Sequence, residues 1–594
     1  MKHRAVILLS GLVLPALVAS AVAGPWDRQS PDWLSASGRG EACLAPTERR
    51  SQGSPSQSRA DTRDTITAPR RSAAVPECSV TEHTMLVQGR PIHYRATAGY
   101  LPIRRDSGQP VANIFFVAYE RLASGVPRLR GPQPPEGGTG TPNAINRVWE
   151  PTPNGRPITF AFNGGPGASA VWLHMGAFGP KRAVLANDGT ALPSSNQLVD
   201  NEQTWLEFTD LVFVDPVGTG FSRAAAGVDA DQFYEVQKDI EIATDFVHLF
   251  VTQYERWLSP QYLVGESYGT ARAVGMARRL QDRYGLYVNG LTLLSSALNL
   301  GVISFDPGND LPYALSLPSY TAVAQYHGKL PRRLEGKRVR REEGKNASPS
   351  YLLTFPPSHL LGLPPPDRAL QEVEAWALGD YLAALAQGRR LPPAESREIA
   401  RRLAEYTGLP EDMIVQNHLR IGTAGFAQSL LGRENRMLGL LDGRVTAPNV
   451  QVLRRRWVDP SLFIVEGPLV ATFNSYVRTQ LGFQTDQPYI FLSDRVNESW
   501  DWGPGRHGHF NIAPVLAELI GLDTRLRVFA AAGHYDLTTP YLSQEYVFNH
   551  LGLPPDLEQN ITFRHYHAGH QIYTSQDALR QLTDDVRTFV TETP

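Results

Sequence analysis

Short, wholly apolar runs separated by longer amphipathic stretches set the pattern of this chain. Residues 158–162, 211–214, 262–264 and 291–295 each predict a strand without a polar face. Strands of that kind belong to a sheet covered on both sides by helices. Between them, residues 229–255 put Phe233, Val236, Ile240, Ala243, Phe246, Val247 and Phe250 on one helical stripe, and residues 271–284 predict a second helix. Ahead of this region, residues 85–87, 92–94 and 113–119 predict the strands of an antiparallel start. The rhythm breaks between about 305 and 510, where helical stretches such as 367–388 and 395–407 alternate with prolines. Sheet character returns at 526–532 and 561–566, and a last helix is expected over 576–590.

The simplest organisation is an α/β core in two parts, 81–304 and 511–594, interrupted by a mostly helical insertion over 305–510. An insertion placed over the strand ends acts as a lid and lines a pocket. Residues 24–80 read as a low-complexity linker or pro-segment, because Ser, Arg, Thr, Pro and Ala dominate 45–76 and cannot offset the entropy of ordering. Residues 125–146 form a Pro/Gly-rich loop, and the basic stretch 332–345 reads as a solvated one.

The first residues change the picture of where the protein works. Lys2, His3 and Arg4 precede an apolar run over 5–18, and Ala21-Val22-Ala23 stands before Gly24. This is the layout of a secretory leader over residues 1–23. Its short length and Pro15 argue against a membrane anchor, and no later run is long enough to span a bilayer. A secreted or periplasmic protein is expected, with no membrane insertion of the mature chain. In an oxidising compartment Cys43 and Cys78, the two cysteines, are free to pair. A formal charge of −2 and scattered arginines give no nucleic-acid surface.

Candidate chemistry centres on Ser267, in Gly265-Glu266-Ser267-Tyr268-Gly269 between a predicted strand and a predicted helix. A serine on such a turn is exposed as a nucleophile. It needs a base to take its proton and an acid to orient that base. Asp536 and His570, each just past a later predicted strand, supply them in the order Ser, Asp, His. Asp536 also reads as an ordinary turn aspartate. His565, His567 and His570, with His507 and His509, also raise a metal site, although no Cys/His spacing fits structural zinc. Asn163-Gly164-Gly165-Pro166-Gly167 follows another strand and offers bare backbone N–H groups to an oxyanion.

In chain order, Asn163 to Gly167, then Asn201-Glu202-Gln203-Thr204-Trp205, Asp215 to Ser222, Gly265 to Gly269, and the segments around Asp536 and His570 resemble the serine carboxypeptidase family. The resemblance, to an exported, bacterial-type member, covers about 155–300 and 525–575. It implies an α/β-hydrolase fold: a mixed central sheet covered by helices, with a mostly helical cap insertion. It implies Ser267 as nucleophile, Asp536 and His570 as the other triad members, Gly165 and Tyr268 N–H as the oxyanion hole, and Asn163 and Glu266 as binders of the substrate's carboxylate. Two carboxylates repel unless one holds a proton, so Glu266 is expected to be protonated when substrate binds. Peptides with a free C-terminus are the implied partners, with no cofactor and no metal. The chain departs from the family at Ala177, where a second glutamate usually pairs with the counterpart of Glu266, and at Ala168, where a cysteine is usual. A serine esterase or acyltransferase with the same triad is therefore the alternative. A metal-binding or non-catalytic envelope protein is a third.

Overall fold

The structure, a computed structural model, describes residues 78–122, 155–190, 195–331, 368–450, 459–503 and 509–593. The expected leader, the linker, the loop at 125–146, the basic stretch at 332–345, Cys43 and His507 lie outside these residues. Cys78 is disulfide-bonded.

The main sheet opens with β1 (Cys78–Val87), β2 (Arg90–Arg104) and β3 (Pro110–Arg121), joined antiparallel. β4 (Ile158–Phe162) follows, and then a short ribbon of β5 (Lys181–Ala183) and β6 (Leu198–Asp200). β7 (Asp210–Val214) returns to the sheet, and β8 (Arg223–Ala224) pairs with β3 at its margin. β9 (Gln261–Glu266) and β10 (Gly290–Leu294) come next. The insertion holds a second ribbon, β11 (Arg436–Leu438) with β12 (Thr446–Pro448). β13 (Arg527–Gly533) and β14 (Ile561–Tyr566) complete the sheet. Its order is β1-β2-β3-β7-β4-β9-β10-β13-β14. From β7 onward all pairings are parallel.

After β4 the chain first adds β7 on one side and later β9 on the other. The connections leaving β4 and β9 therefore diverge at their carboxyl ends. Open parallel sheets place their ligands at such a switch point. Every residue of β4, β7, β9 and β10 is buried. Alternate side chains feed two cores. Phe160, Phe162, Leu263 and Leu293 join one face with helices α1 (Val236–Gln253) and α2 (Tyr268–Tyr284). Ala161, Tyr262, Val264 and Leu294 join the other, under the final helix Gln576–Glu592. This is the α/β-hydrolase fold with a mixed sheet.

Some expected boundaries shift for local reasons. The helix expected over 229–255 starts at Val236, because Asp229 caps a separate 3₁₀ turn, Ala230–Phe233. α2 starts at Tyr268, directly after the serine, not at residue 271. The helix expected over 367–388 contains a π-helical turn, Ala377–Tyr381.

The insertion divides into two kinds of packing. Helix α3 (Leu311–Tyr326) and helices between Arg368 and Ser429 build a core of their own, with Tyr320 stacked on Phe426 and Trp376 on Tyr381. Helix Pro460–Thr479 instead puts Val465, Leu469, Phe473 and Tyr476 into the core on the face of the main sheet that the Gln576–Glu592 helix covers. Phe473→Ala is therefore expected to lower the stability of the main domain by about 3–5 kcal/mol. Chemical denaturation should show one transition moved to lower denaturant. A separate early transition that leaves the main one in place would contradict this packing.

Candidate active site

The turn after β9 is forced by close backbone approach. A Cβ on Gly265 would lie 2.1 Å from the Gly269 carbonyl oxygen, so only glycine lets strand and helix meet there. Ser267, at the apex, takes φ +58° and ψ −127°. A non-glycine residue in that region costs about 1–3 kcal/mol and persists only where its surroundings hold it. Ser267 N–H donates to Leu294 O at 2.9 Å, and Thr270 donates to Ser267 O from both its N–H and its hydroxyl.

The turn after β13 carries Asp536, which is wholly buried and fully engaged. Its Oδ1 accepts from Thr538 N at 2.8 Å and Thr539 N at 2.9 Å. Its Oδ2 accepts from the Thr539 hydroxyl at 2.7 Å and from His570 Nδ1 at 2.7 Å. That bond fixes the imidazole with its proton on Nδ1, leaving Nε2 as the acceptor. Burial opposes the charged form of His570, but Asp536 outweighs it and raises the histidine's pKa above the ordinary value. Thr539, which also lies 3.2 Å from His570 Nδ1, carries no motif that sequence inspection detects.

The insertion supports both turns from outside the sheet. Leu441 O accepts from His570 N at 2.6 Å, and Leu440 O accepts from Leu537 N at 2.9 Å. Gly443 N donates to Tyr535 O. The buried Asp459 carboxylate holds this loop by accepting from the N–H groups of Leu440, Leu441 and Ser461. On the other side Ser295 Oγ donates to His570 O at 2.6 Å, next to Leu294, which anchors Ser267. The structure thus joins His570 to Asp536 directly and fixes Ser267 and His570 to neighbouring residues. Among the described residues no hydrogen bond joins Ser267 Oγ to the imidazole. Catalytic hydrogen bonds commonly tighten only once substrate is bound.

The segment Asn163 to Gly167 lies against this turn. A Cβ on Gly164 would meet Tyr268 N at 2.6 Å and Ser267 Cβ at 2.9 Å. Neither Gly165 N–H nor Tyr268 N–H has a protein acceptor among the described residues. Two unpaired donors beside a serine are suited to a developing negative charge. The loop is tied to α2 by Arg272, 1 % exposed, whose Nη1 donates to Asn163 O. Arg272 also pairs with Asp239 at 2.7 Å, and Asp239 accepts from Tyr268 OH at 2.9 Å.

Glu266 lies buried beneath the serine. Its Oε2 accepts from Asn163 Nδ2 at 3.1 Å and from Tyr573 OH at 2.8 Å. Burial, aided by the Asp536 charge, pushes its pKa up to about 7, while His570, Tyr573 and Asn163 pull the other way. Tyr573 escapes sequence inspection, because nothing local distinguishes it from a core tyrosine. Ala177 is buried in the π-helical turn Trp172–Phe178, and no carboxylate hydrogen-bonds Glu266 among the described residues.

The remaining motifs support this site. Asn201 Nδ2 donates to Ala177 O and Gly179 O, each at 2.8 Å, and Thr204 Oγ1 donates to Phe178 O. Asp215 accepts from Ala170 N, Phe221 N and Tyr489 OH, and burial raises its pKa to about 6. Trp500 and Trp502 pack edge-on against Tyr268. His534 packs between His565 and His567, while His565 meets Glu545 at 3.1 Å and His509 lies 3.5 Å from Asp306. Among the described residues no three His, Cys, Asp or Glu groups are placed to hold a metal ion.

The strand order is that of an α/β-hydrolase fold, with Ser267 on the sharp turn between β9 and α2. Residues 148–283 match the sequence model described as serine carboxypeptidase. The pheromone-processing carboxypeptidase kex1 of Neurospora crassa is 35% identical over 130 residues, which is 20% of this chain and 17% of that protein. Serine carboxypeptidase-like 33 of Arabidopsis thaliana is 29% identical over 171 residues, 27% of this chain and 32% of that protein. The matched region thus spans no more than a third of these curated relatives. Among solved structures, Kex1(delta)p, a prohormone-processing carboxypeptidase from Saccharomyces cerevisiae, aligns with 15% identity and a TM-score of 0.47, covering 84% of this chain and 91% of that one.

Removing one member of a buried ion pair strands the other's charge. Asp239→Ala is therefore expected to cost about 3–5 kcal/mol of stability. The denaturation midpoint should fall well below that of the wild type; an unchanged midpoint would contradict the buried Arg272–Asp239 assignment.

Proposed function

We propose that this protein is an exported serine carboxypeptidase that hydrolyses C-terminal peptide bonds through Ser267, His570 and Asp536. Ser267 Oγ attacks the scissile carbonyl carbon while His570 Nε2 takes its proton. The carbonyl oxygen becomes an oxyanion held by Gly165 N–H and Tyr268 N–H. Collapse breaks the C–N bond, and the leaving amine takes the proton from His570. Water then attacks the acyl-serine through the same base, releasing the shortened peptide and restoring the hydroxyl. Asn163 and protonated Glu266 receive the terminal carboxylate. The leader over residues 1–23 and the disulfide-bonded Cys78 support a secreted or periplasmic location. Among the described residues no helix is long and apolar enough to cross a membrane.

The observation that carries the reading is the buried Glu266 carboxyl next to Ser267, with its pKa near 7. A site for neutral ester or amide substrates has no need of an acid there. The lack of a second carboxylate at Ala177 favours the esterase or acyltransferase alternative, and one pH experiment separates the two. His570 acts as base only when neutral, so its raised pKa produces a loss of activity on the acid side. Glu266 grips a carboxylate only when protonated, so its titration near 7 produces a loss on the alkaline side. The two groups interact, so the limbs belong to the pair rather than to either residue.

The profile of kcat/KM is expected to be bell-shaped for a peptide with a free C-terminus, and to keep only the acid-side limb for its C-terminal amide. Equal rates and identical profiles for the two would overturn the exopeptidase reading and leave the esterase one. Ser267→Ala should retain the fold, by circular dichroism, and lose turnover on both substrates; full peptidase activity in that variant would exclude the mechanism.

A further inference from the structure

The residue that completes the Glu266 pocket comes from the base-bearing end of the chain. Tyr573 stands on the 3₁₀ turn Ile572–Thr574, three residues past His570, and is buried. Its ring covers the segment that carries Ala177, since a Cβ on neighbouring Gly176 would lie 2.9 Å from Tyr573 Cε2. The phenol therefore occupies the side of Glu266 from which a second acid is missing.

We infer that Tyr573 determines specificity for a free C-terminal carboxylate, by holding Glu266 through one oxygen and leaving the other to carry the proton that meets the substrate. The inference rests on the carboxypeptidase reading above. Tyr573 OH and Asn163 Nδ2 both donate to Oε2. A proton on that oxygen would face two donors, so the acid form carries its proton on Oε1. A bound substrate carboxylate accepts from Oε1–H, and no net charge pair is buried. A second carboxyl group in the place of Tyr573 would compete for the same proton. A phenol does not, because burial keeps Tyr573 neutral, well above the ordinary tyrosine range. The charged groups that act on Glu266 are His570, which favours its anion, and Asp536, which opposes it; Asn163 and Tyr573 act as hydrogen-bond donors.

The sign of the effect follows from the direction of the bond. A donor to Glu266 stabilises the anion, so removing the phenol hydroxyl raises the Glu266 pKa. The alkaline limb for free-carboxylate substrates then moves to higher pH. At the same time the carboxyl group loses one of its two anchors on Oε2, and discrimination weakens.

The test is Tyr573→Phe, which keeps the ring and removes the hydroxyl. Rates on a peptide with a free C-terminus and on its C-terminal amide are compared across the pH range. The free-to-amide ratio of kcat/KM is expected to fall roughly tenfold, the upper size of one neutral hydrogen bond. The alkaline limb should move up. In a Glu266→Gln background, which has no titrating group at that position, Tyr573→Phe should move no limb. Should Tyr573→Phe fail to fold, 3-fluorotyrosine at position 573 keeps the contact; as a stronger donor it should move the limb down. A ratio and limb matching wild type in Tyr573→Phe, or an unmoved limb with fluorotyrosine, would overturn the role of Tyr573 alone. A wild-type enzyme indifferent to the terminal carboxylate would instead overturn the carboxypeptidase reading beneath it.

Discussion

The backbone of Gly164 lies against Ser267 and Tyr268 with no space for a side chain between them. Most of the site follows from that contact. It brings the loop after β4 onto the turn after β9, so two unpaired N–H groups, a serine hydroxyl and a buried carboxyl share one small volume. The sheet makes the contact available, because β4 and β9 are parallel neighbours whose connections diverge. Glycine makes it possible, because any Cβ at Gly164 or Gly265 would overlap backbone atoms.

Holding such a loop in place costs free energy, and buried polar groups supply the restraint. Arg272 binds the Asn163 carbonyl from inside the protein and is neutralised by Asp239, which also takes the Tyr268 hydroxyl. Asp215 and Asn201 do similar work for the segment that follows the glycines. Each is a hydrogen-bonded polar side chain in a dry place, where removal leaves its partners unsatisfied. Glu266 differs in that both its donors meet one oxygen, Oε2, and burial raises its pKa to about 7. A buried acid with a raised pKa, next to Ser267 on its strained turn, is where a functional role is to be sought.

The insertion shapes the site in a manner that differs from a simple lid. Its loop at Leu440 to Gly443 grips the Asp536 and His570 turns through backbone hydrogen bonds, with Asp459 behind it. Its helix Pro460–Thr479 fills part of the main core. Motion of this part would disturb the Asp536 and His570 turns, and that couples insertion packing to the geometry around Ser267.

Apolar runs and glycine spacing made the strands β4, β9, β13 and β14 and the nucleophile turn legible from the chain alone, because buried parallel strands and tight turns are local constraints. Ser267, Asp536, His570, Asn163, Gly165, Tyr268 and Glu266 could be nominated for the same reason: each stands at a strand end, where a local pattern marks it. Thr539, Asp459 and Tyr573 could not be. Tyr573 meets Glu266 across 307 positions of sequence and Asp459 reaches Leu440 through a fold in the insertion, so no local pattern announces either. The sequence by itself determined which residues stand at the strand ends and on the glycine-bounded turns. Only the tertiary structure decided what holds Glu266, because hydrogen-bond partners are chosen by proximity in space, and that proximity is set by how the two halves of the core close on each other.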